Sequence, residues 1–64
     1  MEVTLRMAPH PRIYGLYQVH LVDQDGNMWS RTMDNESLAF ETFVNAVLLA
    51  QEGAVKLKIE EEVP

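Results

Sequence analysis

The histidines and hydroxyl groups are the residues that could do chemistry. His10 lies between two prolines, whereas His20 lies in a segment rich in β-branched and aromatic residues, where Ser30 is its neighbour in one hairpin register. Histidine can bind metals or move protons near neutral pH. Neither histidine has a cysteine or a second histidine at ligand spacing, and a serine nucleophile would also need an orienting acid and a walled pocket. We therefore expect no catalytic site, no metal site and no cofactor.

An alternating set of oxygen ligands, Asp23, Asp25 and Asn27, resembles the start of a calcium loop. An EF-hand needs glycine at loop position six and glutamate at position twelve. Here Gly26 is fourth and the twelfth residue is Asp34. Because aspartate and glycine are also the usual residues of tight turns, the segment predicts a hairpin turn.

Three strands are predicted before the turn-rich segment at Asp34. Residues 2–7 alternate apolar and polar types, residues 13–22 are rich in β-branched and aromatic types, and residues 28–33 form the returning strand of the hairpin. Gly15 is expected to mark a bulge in the second strand.

Two hairpin registers compete. A two-residue turn would place Trp29 beside Val22 and His20, whereas a three-residue loop of residues 24–26 would place it beside Leu21. We prefer the second register, because it separates a polar face from an apolar one. Arg31 is then the one charged residue on the inner face, where its stem would carry the charge out to water.

A helix is predicted over residues 36–52. Asp34 or Asn35 is expected to cap its N-terminus, and Gly53 to follow its C-terminus. Its core side is predicted to hold Ala39, Phe40, Phe43, Val44, Ala46, Val47 and Ala50, with Leu38, Leu48 and Leu49 on the flanks.

A last strand over residues 54–60 and an acidic tail over residues 60–64 complete the chain. The order β-β-β-α-β predicts one α+β domain, in which a helix packs on one face of a single-layer antiparallel sheet. A chain of 64 residues without cysteine has a small core and marginal stability.

The formal net charge is −5, from ten acidic and five basic residues. This charge disfavours direct binding to nucleic acid or anionic lipid and favours a basic protein partner. Arg6, Lys56 and Lys58 should all project from the sheet face away from the helix, so the acidic residues should dominate elsewhere. The candidate partner-binding residues are Asp23, Asp25, Asp34, Glu36, Glu41, Glu52, Glu60, Glu61 and Glu62, with Leu38 and Leu49 as apolar anchors. The alternative for any one cluster is a solvated surface that keeps the protein soluble.

In length, lack of cysteine, the turn from Asp23 to Asn27, the helix over 36–52 and the acidic run at residues 60–62, the chain resembles the small acidic phage proteins called anti-CRISPRs. The resemblance implies an inhibitor that binds a Cas subunit of a type I effector complex and blocks recognition of target DNA. It also implies the bacterial cytoplasm as the location, with which the lack of a signal peptide and of a bilayer-length apolar run agrees.

The sequence therefore predicts a non-catalytic binding protein, with a monomer slightly favoured over a homodimer. Acidic mimicry of DNA and simple steric blocking both stay open as mechanisms. The alternative function is a small structural or assembly subunit, in which two copies bury Leu38, Leu49 or a free sheet edge.

Overall fold

The structure, a computed structural model, describes residues 1–61 and has the predicted α+β architecture. Its elements follow the order β1, β2, β3, α1 and β4, and the strands form one sheet in the order β3-β2-β1-β4. The bounds are Glu2–Pro9 for β1, Tyr17–Val22 for β2, Met28–Met33 for β3, Leu38–Leu49 for α1 and Lys56–Glu61 for β4.

The sheet is mixed, which corrects the prediction of a wholly antiparallel sheet. β1 pairs with β2, and β2 with β3, in antiparallel fashion, but β1 and β4 are parallel, with Val3 opposite Leu57 and Leu5 opposite Ile59. The helix between β3 and β4 carries the chain back across the sheet, so β4 runs in the same direction as β1. Such a crossover is the usual connection to a parallel strand.

The preferred hairpin register is confirmed. Leu21 lies opposite Trp29, and a backbone hydrogen bond of 3.0 Å from the Asp23 N–H to the Asn27 carbonyl closes a three-residue loop. Gly26 has the positive φ of 86° that such a loop requires. Arg31 lies opposite the fully buried Val19, and therefore on the inner face of the edge strand, as predicted.

The second strand begins later than predicted, at Tyr17. Residues 13–16 belong to a connecting loop, in which the His10 N–H donates to the Leu16 carbonyl over 2.9 Å. Gly15 has a φ of 89° and lies in this turn, so the predicted bulge is wrong. The aromatic and β-branched composition of the segment suggested a strand, but the tight turn at this glycine determines its structure.

The helix is shorter than predicted, and its cap differs. Ser37 is the N-cap, and its hydroxyl accepts from the Phe40 N–H, whereas Asp34 accepts from the Glu36 N–H in the preceding turn. The predicted caps, Asp34 and Asn35, are therefore wrong. The helix ends at Leu49 with Ala50 as C-cap, so Gly53, with a φ of 79°, turns the chain beyond the helix and is not its C′ residue.

The core lies between the helix and the two central strands. Its fully or nearly buried side chains are Val3, Leu5, Val19, Leu21, Val44 and Val47. Phe40, Phe43 and Leu48 of the helix are half-buried against this cluster. The alanines predicted on the core side are exposed, because the buried stripe of the helix is centred on Val44 and Val47 and the short alanine side chains lie at its margins.

Candidate partner-binding site

Most of the predicted binding residues lie on or beside the helix. We call the set Asp34, Glu36, Leu38, Glu41, Leu49 and Glu52 the helix surface. The capping bonds at Asp34 and Ser37 fix the path of the chain into the helix and thereby the position of Glu36. Glu36, Glu41 and Glu52 are all exposed. The structure thus holds these carboxylates on one regular element and its two ends.

The two leucines point directly away from the core. Leu38 is 76% exposed and Leu49 85% exposed. With Thr42 and Asn45 they follow the spacing i, i+4, i+7, i+11, which keeps all four on one side of a helix. Eleven residues of helix place Leu38 and Leu49 about 16 Å apart along the axis. They are therefore outward residues, and their prediction as flanking residues is wrong.

The helix surface has no internal cation to neutralise it. No lysine or arginine occurs between Asp34 and Glu52 in the sequence. Among residues 1–60, whose side chains the structure describes, the ion pairs are those that Glu60 makes with Arg6 and Lys58. The exposed glutamates of the helix surface can thus meet charges on another molecule.

The hairpin turn contributes one exposed and one occupied carboxylate. Asp25 is exposed, but Asp23 is buried, and its two oxygens accept from the N–H groups of Asp25 and Asn27 and from the Asn27 side-chain amide, at 2.9, 2.9 and 3.0 Å. The hydrogen bond from the Asn27 side chain is the main cause that lowers the Asp23 pKa, with further bonds from the backbone. Asp23 thus holds the turn together and has little capacity left for a partner.

The turn and the end of the helix lie side by side. Asp23, Asp25 and Glu52 line one shallow depression of about 240 Å³, with Trp29 and Gln51 among its other walls. Glu52 is far from Asp23 and Asp25 in sequence. Their proximity extends the acidic surface from the helix onto the hairpin.

Glu60 belongs to a different surface. It projects from the outer face of the sheet, the face away from the helix, and its carboxylate contacts Arg6 Nε at 2.9 Å and Lys58 Nζ at 3.3 Å. The hydrogen bond from Arg6 is the largest cause that lowers the Glu60 pKa, followed by that from Lys58. Glu61 continues β4 opposite Met7, and the predicted Glu62 lies outside the described residues.

The outer face of the sheet carries a transverse row of polar side chains. Ser30, His20, Arg6 and Glu60 occupy directly opposed positions on the four strands. The expected neighbours His20 and Ser30 are in contact, with Nδ1 and Oγ 2.7 Å apart. A histidine so placed can exchange a proton with the hydroxyl, but its neighbour on the other side is a cation and not an orienting carboxylate.

Two features of the helix side were not predicted. A groove of about 440 Å³ runs between β3 and the helix, lined by Met33, Leu38 and Phe43, and the Arg31 guanidinium lies 5.5 Å from the centre of the Phe43 ring. A second depression, of about 480 Å³, joins Asp34 and Glu36 to the fully exposed Tyr14. The register already placed Arg31 on the inner face, but only the loop path reveals Tyr14 beside the helix.

Comparison with protein-family models, with curated proteins and with solved structures finds no match for this chain. Among residues 1–60, whose side chains the structure describes, no three histidine or carboxylate side chains are grouped so that they could hold a metal ion. No helix in that same range is long and apolar enough to cross a membrane.

Proposed function

We propose that this protein is a non-catalytic binding protein, whose helix surface docks against a basic surface of a protein that normally holds nucleic acid. One observation carries the proposal: the segment from Asp34 to Glu52 has four carboxylates and no cation, and two leucines point outward from the same helix. The carboxylates select a partner of positive charge, and the leucines supply the apolar contact.

The combination matters because charge and apolar contact do different work at an interface. Complementary charge steers association and selects partners, whereas a few buried apolar or aromatic side chains supply most of the affinity. Leu38 and Leu49 are too exposed to contribute much to the core. Tyr14, beside the start of the helix, is a third anchor of the kind that interfaces favour.

The resemblance to anti-CRISPR proteins suggests the class of partner. A Cas subunit of a type I effector complex has a basic channel for DNA, and a compact acidic protein seated there would prevent target recognition. We propose this inhibition as the biological role, in the cytoplasm of an infected bacterium. The helix surface would act as a mimic of DNA if its carboxylates replace phosphates, and as a steric block if the leucines dominate.

A gel-shift assay tests the role directly. Purified type I surveillance complexes are incubated with the protein, and binding of a labelled target duplex is then measured. We expect duplex binding to be lost at roughly one protein per complex, and the triple variant E36K/E41K/E52K to restore it. Undiminished duplex binding at a tenfold excess of the protein would contradict the inhibitor role.

A matched pair of single variants separates local charge from net charge. E41K changes the helix surface, whereas E2K makes the same change of charge on the outer face, opposite Lys56. We expect inhibition to weaken for E41K and not for E2K, with circular dichroism confirming that both fold. Equal effects of the two variants would argue against the helix surface as the interface.

The alternative function, a structural or assembly subunit, is favoured by one observation: β3 and β4 are both edge strands of the sheet. An open edge can pair with another chain through its free backbone groups. A protein that assembles only with itself and leaves every nucleic-acid-binding partner unaffected would support this alternative over the inhibitor.

A further inference from the structure

Within residues 1–61, the last strand, β4, has an unpaired edge. Its pairing with β1 determines which of its backbone groups point outward from that edge. The Lys56 N–H donates to the Met1 carbonyl over 2.8 Å, so the backbone of Lys56 faces β1. Because alternate residues of a strand face the same neighbour, Lys58 and Glu60 also bond to β1. The N–H and C=O groups of Leu57 and Ile59 therefore point away from the sheet, where another strand can pair with them.

The two edges of the sheet differ in how well they resist such pairing. β3 has Arg31 on its inner face, and an inward charge on an edge strand obstructs the approach of a second strand. On β4 the inner-face positions are Leu57, Ile59 and, at the last position of the strand, Glu61, and Ile59 is 59% exposed. The middle of β4 therefore carries no inward charge, whereas Arg31 lies within β3. β4 is thus the less protected edge.

The outward charges of β4 are self-complementary. On the outer face, Lys58 precedes Ile59 and Glu60 follows it. If a second copy pairs antiparallel with β4 about Ile59, Lys58 of each copy lies directly opposite Glu60 of the other. Ile59 then lies opposite its own copy, and its outward N–H and C=O groups fit the hydrogen-bonded pair at this centre.

Neighbouring registers are less favourable, either in the charges that they oppose or in the faces that they bring together. Pairing centred on Lys58 would set Lys56 opposite Glu60, but it would also place Lys58 opposite Lys58 of the other copy. Pairing centred on Glu60 would place two glutamates opposite each other, and like charges destabilise a strand pair. A shift by one residue would set the inner face of one strand against the outer face of the other. The register about Ile59 pairs opposite charges on the outer face, fits the free backbone groups and keeps like faces together, with Glu61 at the strand end opposite Leu57 of the other copy.

We propose that two copies of this protein associate through antiparallel pairing of their β4 strands, centred on Ile59, to form a continuous eight-stranded sheet. Glu60 keeps its contact with Arg6 and gains Lys58 of the partner copy. The two-fold axis of such a pair is perpendicular to the sheet, so both helices lie on the same face. The pairing uses a surface separate from the helix surface and does not depend on the proposed function.

Complementary charge reversals test the pairing in the purified protein alone. K58E places a glutamate opposite Glu60 of the other copy, and E60K places a lysine opposite Lys58, so each variant by itself should be monomeric by sedimentation velocity. In an equimolar mixture, each copy offers the charge that the other lacks, and a heterodimer should form. From the energies of cross-strand charge pairs, we expect the dissociation constant of each single variant to rise by at least about tenfold over the wild type.

The control is E41K, which makes the same charge change as E60K on the helix surface and should leave association intact. A K58E protein that associates as tightly as the wild type would overturn the proposal, and so would a wild type that stays monomeric at millimolar concentration. The E60K variant also loses the contact of residue 60 with Arg6, which could weaken association by another route. A second measurement therefore uses only the wild type. Amide exchange of Ile59 in the wild type should slow as protein concentration rises, and a dimer whose Ile59 amide stays unprotected would equally overturn the proposal.

Discussion

At the scale of single residues, Asp23 is a structural carboxylate and not one that is free to bind a partner. Its two oxygens already accept three hydrogen bonds inside the turn, and these bonds lower its pKa. Because the folded pKa of Asp23 lies below the unfolded one, the stabilising effect of its ionised form is complete above the unfolded pKa of about 3.9. The effect is lost as the pH falls through the folded pKa.

We therefore predict that Asp23→Asn loses less stability than the wild type when the pH is lowered from about 5 to below the ordinary aspartate pKa of about 3.9. The amide oxygen can still accept from the backbone but does not titrate in this range. Urea unfolding monitored by Trp29 fluorescence at several pH values measures the difference. The lowered pKa of Glu60 acts in both proteins and cancels in the comparison. Parallel pH profiles would contradict the role assigned to Asp23.

The residue scale also explains how far the candidate site was predictable. Net charge and the absence of cations between Asp34 and Glu52 could be read from the sequence, and both indicated an acidic helix. Whether a carboxylate is already bonded within the chain could not be read from the sequence, because its bonding partners are brought together only by folding. Glu60 illustrates this, since its partner Arg6 is 54 positions away in sequence.

At the scale of elements, the helix depends on one serine for its beginning. We predict that Ser37→Ala lowers the free energy of unfolding by about 1 kcal/mol, because the Phe40 N–H loses its hydroxyl acceptor. Asn35→Ala is the matched control, since Asn35 is an exposed candidate cap, and should change stability by less than about 0.5 kcal/mol. Chemical denaturation of the three proteins measures both effects. A larger loss for Asn35→Ala would reassign the cap.

The elements differ in how much of their structure their sequence could predict. The β2 and β3 hairpin was predictable to its register, because only one register sorts apolar from polar residues and leaves a single misfit, Arg31. Alternation in β4 gave its two faces but not its direction, since a period of two is the same in parallel and antiparallel strands. The helix start was misplaced because Asp34, Asn35 and Ser37 are all good caps, and propensity alone does not choose between them.

At the scale of the whole molecule, association and stability are coupled if two copies pair through β4. Binding of a second copy to the folded state stabilises that state by mass action. We predict that the melting temperature of the wild type rises with protein concentration, by about 4–8 °C for each kcal/mol of association free energy in a domain of this size. K58E should melt at a temperature independent of concentration. Differential scanning calorimetry over a hundredfold range of concentration measures both, and identical behaviour would contradict the coupling.

The dimer would also change the surface that a binding partner contacts. Its two helices lie on one side of the extended sheet, so their acidic surfaces face the same direction. A partner with two suitably spaced basic sites would gain affinity from simultaneous engagement without any new contact. The outer face, with Arg6, Lys56 and Lys58 on each copy, stays on the opposite side.

The parallel pairing of β1 with β4 also sets the order in which the sheet can form during synthesis. Each opposed pair of these strands, such as Arg6 and Glu60, joins residues 54 positions apart. β1 is the central strand between β2 and β4, so one of its edges stays open until β4 has left the ribosome. Contacts of such long range slow folding, because the chain must close a large loop before they form. Completion of this sheet therefore waits for the synthesis of β4, even though the hairpin can form while the chain is still growing.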